Sequence, residues 1–229
     1  GCNMRCLWCS NPETIDPRQQ IGVYPKKCVG CGSCMEVCPR EGKPIVFGPE
    51  GLERVVMDDF CRTCLKCVDE CPGRAIMVWG EKKSVPELMG IIEEDRAFYE
   101  KSGGGVTLSG GEALVQWEFV LELLKECRTA GIHTCVESAL NLPQEPVDKV
   151  MEYTDLLISD IKQMDSEKHK AATGAGNELI LSNLRRLAKA GQPMVLRTPV
   201  VPGFNDDEAS IRAIGAFVRD EMQGRVVQY

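Results

Sequence analysis

At 229 residues the chain is long enough for one large domain, or for one domain carrying a small insert. A net charge of −7 disfavours nucleic acid as a partner, and no run approaches the roughly 18 apolar residues that cross a bilayer. All of the thirteen cysteines except Cys127 and Cys135 fall in C-x2-C or C-x3-C groups, which is metal-ligand rather than disulfide spacing and suggests a reducing cytoplasm.

The first group is Cys2, Cys6 and Cys9. Three thiolates from one short loop hold three irons of a cubic [4Fe–4S] cluster, whereas a protein that only carries electrons normally supplies a fourth. The remaining iron is then an open coordination site for a substrate or cofactor. With Trp8 just before the last cysteine, the spacing resembles the cluster loop of radical S-adenosylmethionine (SAM) enzymes. There the amino and carboxylate groups of SAM chelate the fourth iron.

Residues 28–39 read Cys-Val-Gly-Cys-Gly-Ser-Cys-Met-Glu-Val-Cys-Pro, and residues 61–72 read Cys-Arg-Thr-Cys-Leu-Lys-Cys-Val-Asp-Glu-Cys-Pro. Both are C-x2-C-x2-C-x3-C-P, the pattern of bacterial two-cluster ferredoxins, and the repeat implies a pseudo-symmetric module. By that resemblance Cys28, Cys31, Cys34 and Cys71 hold one [4Fe–4S] cluster, and Cys61, Cys64, Cys67 and Cys38 hold another. Four thiolates also suit zinc, an alternative that the duplicated, proline-terminated form disfavours.

From Ser84 the pattern changes to alternating helices and strands. Ser84-Val-Pro-Glu87 reads as a capping box opening a helix with Leu88, Ile91, Ile92, Phe98 and Tyr99 at helical spacing. A strand at 105–109 runs into Gly110-Gly111-Glu112, followed by a helix at 115–128. Next come a strand at 132–137, a helix near 143–153 and a strand at 156–161. A helix at 178–190 stops at Gly191, a strand covers 194–201, and Ile211, Ile214, Phe217 and Val218 mark another helix. Val226-Val-Gln-Tyr229 begins a last strand.

Such alternation implies a parallel sheet with right-handed crossovers. The expected fold class is α/β, a partial (β/α)6 TIM-like barrel with an inserted bacterial-ferredoxin-like domain. A doubly wound open sheet is the competitor. The expected division is 1–26 for the start of the barrel with its cluster loop, 27–80 for the insert and 81–229 for the rest of the barrel. The chain is read as a fragment lacking both ends, including the strand before Gly1.

The unusual polar residues fall at the carboxyl ends of successive strands: Gly110, Gly111 and Glu112, then Glu137 and Ser138, Asp160 with Lys162, and Arg197. In parallel α/β folds that edge binds ligands. Gly110 and Gly111 let the backbone approach a methionyl ammonium group. Lys162 or Arg197 suits the SAM carboxylate, Arg by a bidentate fork. Glu137 and Asp160 beside a carboxylate-bearing ligand suggest either a cation among them or contacts to ribose hydroxyls.

The stretches Ser109-Gly-Gly-Glu-Ala-Leu114, Gly131-Ile-His-Thr-Cys-Val-Glu-Ser138, Ser159-Asp-Ile-Lys-Gln-Met164 and Leu196-Arg-Thr-Pro-Val-Val-Pro-Gly203 resemble the glycyl-radical enzyme activating enzymes, in the subgroup with an inserted two-cluster domain. The resemblance covers nearly the whole chain. It implies that Gly110, Gly111 and Glu112 belong to the SAM amino-group motif, that Lys162 and Arg197 bind SAM, and that Asp160 lies near its carboxylate and a monovalent cation. Glu137 departs from the Asp of the formate-lyase activator, and one extra methylene moves the carboxylate. A SAM-contacting histidine of the family is expected beyond residue 229.

The implied activity is reductive cleavage of SAM and abstraction of a glycine α-hydrogen in a partner, the glycyl-radical enzyme. Electrons would come from a flavodoxin or ferredoxin-type reductant, with Cys2, Cys6, Cys9 and Lys162 as the catalytic set. The expected cofactors are three [4Fe–4S] clusters, SAM and the cation, in a cytoplasmic monomer with no membrane partner. The rivals are a radical SAM peptide maturase with auxiliary clusters and a ferredoxin-type electron carrier without chemistry. Elsewhere, His133 reads as a packing or hydrogen-bonding residue and His169 as a candidate to face a substrate peptide. Cys127 and Cys135 read as buried structural thiols.

Overall fold

Clustered cysteines and tight turns set the architecture before Ser84; alternating apolar strands and amphipathic helices set it afterwards. The computed structural model describes residues 1–41, 44–49 and 51–222. It divides into two compact units, Asp16–Lys82 and a larger one formed by Gly1–Ile15 with Lys83–Tyr229.

In chain order the smaller unit contains β1 (Gln20–Val23), α1 (Ser33–Glu36), β2 (Ile45–Gly48), β3 (Gly51–Val55), α2 (Asp59–Cys64), α3 (Lys66–Asp69) and β4 (Ile76–Trp79). β1 pairs antiparallel with β4 and β2 with β3. The β1–β4 ladder begins ahead of residue 27, where the sequence pattern of the insert starts, so the unit takes in the polar stretch before its first cysteine. Cys34 lies on α1, Cys61 and Cys64 on α2, and Cys67 on α3. Among the described residues the core of this unit is Cys34, Ile45, Leu52, Ala75 and Ile76, with five further cysteines (Cys28, Cys38, Cys67, Cys71 and the buried Cys61) at or near it.

The larger unit continues with α4 (Val85–Glu94), α5 (Arg96–Ser102), β5 (Gly105–Leu108), α6 (Trp117–Thr129), β6 (His133–Glu137), α7 (Gln144–Met151), β7 (Leu156–Asp160), α8 (Ser166–Thr173), α9 (Glu178–Ala190), β8 (Met194–Arg197) and α10 (Glu208–Asp220). The capping box is present: Glu87 N–H donates to Ser84 Oγ, and Ser84 N–H donates to Glu87 Oε2 at 2.7 Å. The helix expected to run from Leu88 to Tyr99 is two helices, parted at Asp95. The strand expected at 194–201 stops at Arg197, because Pro199 cannot donate to a ladder. The strand expected at 226–229 lies outside the described residues.

β5, β6, β7 and β8 form one parallel sheet in that order, joined by helical crossovers. Among the described strands the order has no reversal, which is the mark of a doubly wound sheet. Leu124, Val136, Leu157, Leu184 and Ile214 are fully buried in the core shared by sheet and helices, each burial contributing about 1.5–3 kcal/mol. Parallel direction has a functional consequence: all four carboxyl ends open on the same edge. No helix among the described residues is long and apolar enough to cross a membrane.

Candidate active site

A cavity of about 220 Å³ opens on that edge, bordered by Cys2, Cys6 and Cys9 on one side. The rest of its lining takes a contribution from the end of each strand of the parallel sheet: Gly110 and Gly111 after β5, Glu137 and Ser138 at and just after the end of β6, Asp160 and Lys162 at and just after the end of β7, and Arg197 of β8. The structure therefore brings together the predicted residues of the larger unit with one exception, Glu112.

Glu112 is 3% exposed and turned into the protein. Its carboxylate accepts the Leu114 N–H at 3.0 Å and the Ala139 N–H at 2.8 Å. Burial pushes its pKa up, and the two amides together with Ser138 oppose that shift. Its main-chain N–H donates to the Gly1 carbonyl at 3.0 Å. Glu112 thus ties the loops after β5 and β6 to the start of the cysteine loop rather than facing the cavity. Ser138 is similar: it borders the cavity, but its hydroxyl is 3.0 Å from the Leu140 N–H and bonded to Glu112.

The adjoining glycines are required for different reasons. Gly110 has φ of 147°, a conformation that a side chain resists. Gly111 is pressed on the cysteine loop, where an added Cβ would stand 2.8 Å from both Cys2 Cβ and the Gly1 carbonyl oxygen.

The charged residues form one chain of contacts. Ser109 Oγ donates to Glu137 Oε2 at 2.9 Å, and Arg197 donates to Glu137 and, through Nε at 3.1 Å, to Asp160. Lys162 Nζ donates to the other Asp160 oxygen at 2.8 Å. Two carboxylates and two cations leave this wall neutral overall. Burial pushes the Cys6 thiol up, while the Lys162 ammonium opposes that shift and the Cys2 and Cys9 thiols add to it.

The donor set suits a cluster better than a single ion. Among the described residues no three His, Cys, Asp or Glu side chains converge on one metal position. A cubic cluster takes one thiolate per iron, so its ligands ring a volume instead of meeting at a point. In the smaller unit one hollow is lined by Cys28, Cys31, Cys34 and Cys71, and another by Cys38, Cys61, Cys64 and Cys67.

Several residues that position the site were not evident from its motifs. Asn205, fully buried, donates through Nδ2 to the carbonyls of Lys162 and Pro199 at 2.8 and 3.0 Å, and so clips the ends of β7 and β8 together. Asn183 does the same for the loop after β6, donating to the carbonyls of Leu140 and Leu142. The available signal was an asparagine within the apolar stripe Leu181, Leu184 and Leu187. Trp8 packs on Phe204, ring centroids 4.7 Å apart. His169 is 1% exposed and faces no substrate, because its ring closes the turn after α8; His133 is exposed at the start of β6 rather than packed. Cys127 and Cys135 are buried.

The radical SAM superfamily profile matches residues 1–213. The chain is 46% identical to the (2S)-3-sulfopropanediol dehydratase activating enzyme of Klebsiella oxytoca, over 99% of this chain and 72% of that protein. It is 42% identical to the choline trimethylamine-lyase activating enzyme of Oleidesulfovibrio alaskensis, over 96% of this chain and 70% of the relative. Among solved structures, Streptococcus suis SuiB matches with a TM-score of 0.51 at 15% identity, over 62% of this chain and 32% of that one, a likeness of fold alone.

Replacing Glu112 with Gln puts an NH2 group against a main-chain N–H. We expect a loss of about 1–3 kcal/mol in denaturant unfolding, with weaker SAM binding in equilibrium titration because Gly110 and Gly111 lose their anchor. Wild-type values for both would show that the carboxylate does not hold the loop.

Proposed function

The chain belongs to the radical SAM superfamily, among the activating enzymes of glycyl-radical enzymes, and from that premise we propose how its own residues carry the reaction. The activity is installation of a glycyl radical on a partner enzyme. When bound, the cluster and SAM supply one electron and a 5′-deoxyadenosyl group that removes the α-hydrogen of a glycine in that partner.

The observation that carries the residue assignment is a single cavity bordered by three thiols and by all four strand ends. Cys2, Cys6 and Cys9 would ligate three irons and leave the fourth to SAM. The backbone beside Gly110 and Gly111 would accept the methionyl ammonium. Lys162, next to Cys6, would turn from Asp160 toward the SAM carboxylate. Asp160 and Glu137 would hold Arg197 in place and meet the ribose hydroxyls. The Arg197 guanidinium already bridges both carboxylates, so it supplies the positive charge that a monovalent cation would otherwise bring.

We place the smaller unit in the subgroup with an inserted two-cluster ferredoxin domain, and the larger in a partial (β/α)6 barrel. The four strands in sequential parallel order support the barrel. Two hollows each lined by four cysteines support two further [4Fe–4S] clusters, three in all. The small core of the smaller unit, as far as its described residues go, supports them as well, since metal centres would add to the hold of such a unit. These clusters would pass electrons from a flavodoxin or ferredoxin-type reductant.

Two measurements test this reading. The reconstituted, reduced protein is incubated with SAM and candidate glycyl-radical enzymes in turn, beginning with a (2S)-3-sulfopropanediol dehydratase of the kind named in the Klebsiella oxytoca relative, and each is then examined by electron paramagnetic resonance (EPR). A persistent glycine-centred doublet is expected; SAM cleavage without a doublet would favour the peptide maturase.

The second measurement concerns the thiols of the smaller unit. Burial, with Cys38, Cys34 and Cys61 nearby, pushes the Cys67 thiol from its ordinary 9.0 up to about 11. Between those values the folded metal-free chain holds a proton that the unfolded chain has lost, so its stability falls as pH rises through that window. Denaturant unfolding of metal-free protein at about pH 8 and about pH 10 should show the fall. Cys67→Ser should lessen it, and the cluster-loaded protein, whose Cys67 has no proton left to lose, should show a smaller fall, because burial raises the thiols of Cys127 and Cys135 as well and these keep their protons. An equal fall in Cys67→Ser would contradict the assignment.

A further inference from the structure

The cysteine loop depends on one helix end that no motif marks. The residues on both sides of Cys6 are held there: Arg5 N–H donates to the Thr173 carbonyl at 2.7 Å, and Leu7 N–H to the Ala172 carbonyl at 3.0 Å. Both carbonyls belong to the last turn of α8, where helix acceptors lack intrahelical partners. Gly174 then leaves the helix at φ 79°, and a Cβ there would stand 3.4 Å from Arg5 Cβ.

His169 closes this turn from inside. Its Nδ1 lies 2.6 Å from the Ala175 carbonyl oxygen, and the Thr173 hydroxyl is 2.8 Å from the His169 carbonyl and 3.1 Å from that of Ala175. A carbonyl oxygen only accepts, so Nδ1 carries the proton. The charged groups that act on the ring are Lys162 and Glu178; burial, chiefly, holds its pKa below the ordinary range.

We propose that His169, as the Nδ1–H tautomer, is a positioning residue for the radical SAM cluster: by fixing the turn 172–175 it holds the amides flanking Cys6 and so aims the Cys6 thiolate beside Lys162. This rests on the reading that Cys2, Cys6 and Cys9 ligate a SAM-binding cluster. Metal-site partners outside the ligand shell act in this way, and their loss costs roughly 10- to 100-fold in affinity or activity.

The test uses the full reconstituted and reduced chain as wild type, His169→Asn, His169→Gln, His169→Leu and the core variant Leu184→Ala. The readout is the SAM-induced change in the EPR spectrum, titrated with SAM, alongside thermal stability and iron content. Asn places an N–H donor close to the Nδ1 position and should titrate nearly as wild type does. Gln carries its donor one bond further out and Leu has none; both should need roughly 10- to 100-fold more SAM, or lose the change.

Leu184→Ala, destabilised through the core alone, should keep the wild-type titration. A normal titration in His169→Leu, or an Asn variant no better than Leu, overturns the inference. If the Leu protein does not fold, the contrast between Asn and Gln decides it. A wild-type protein whose spectrum ignores SAM would instead sink the cluster reading on which the inference rests.

Discussion

A loop of nine residues with neither helix nor strand of its own must be held from outside if three thiols are to share one cluster. The chain that follows each strand supplies a hold. Gly1 accepts from Glu112 after β5, and Asn3 donates to the Asn141 carbonyl in the loop after β6. Arg5 and Leu7 hang from the end of α8, which follows β7, and Trp8 packs on Phe204 beyond β8. The parallel sheet makes this economical, because every strand-following loop emerges on the same edge. The thiols and the polar rim are therefore positioned by the same set of loops.

The rim has a second property that follows from its charges. Asp160 lies between Lys162 and Arg197, and Glu137 between Arg197 and Ser109. Among the described residues each carboxylate lining the cavity is paired, so under the proposed reading a zwitterionic ligand bearing a further sulfonium charge would meet a wall that is neutral and already hydrogen-bonded. In that reading Lys162 would turn to the ligand while Arg197 keeps Asp160 and Glu137 paired, so the rest of the wall is already organised when charge moves. The same reading gives the glycines a place: on the β5 side contact with the ligand would fall to bare backbone.

The cysteine groups were readable from the chain because ligand spacing is a local property, and the three-cysteine loop differs from the two four-cysteine runs by the ligand it lacks. The rim was readable because Glu137, Asp160 and Arg197 break apolar strands at their last residue. Other features depend on the tertiary environment. Nothing in Gly110-Gly111-Glu112 tells that the carboxylate will find the amides of Leu114 and Ala139 and turn away from the cavity. The helix α8 and the break at Asp95 fall in polar stretches without a clear 3.6-residue stripe. Asn183 is marked only by the apolar stripe around it, and the buried clip Asn205 and the ring of His169 look like ordinary surface residues until the loops they join are known.

The central claim is that Cys2, Cys6 and Cys9 bind a cluster whose fourth iron is left for SAM, independently of the eight cysteines at 28–71. The most direct test is Cys6→Ala in the full chain, with iron content and 5′-deoxyadenosine production measured after reconstitution and reduction. The account predicts about two clusters' worth of iron and no SAM cleavage, since the two other sites keep complete ligand sets. Production of 5′-deoxyadenosine at the wild-type rate would contradict it.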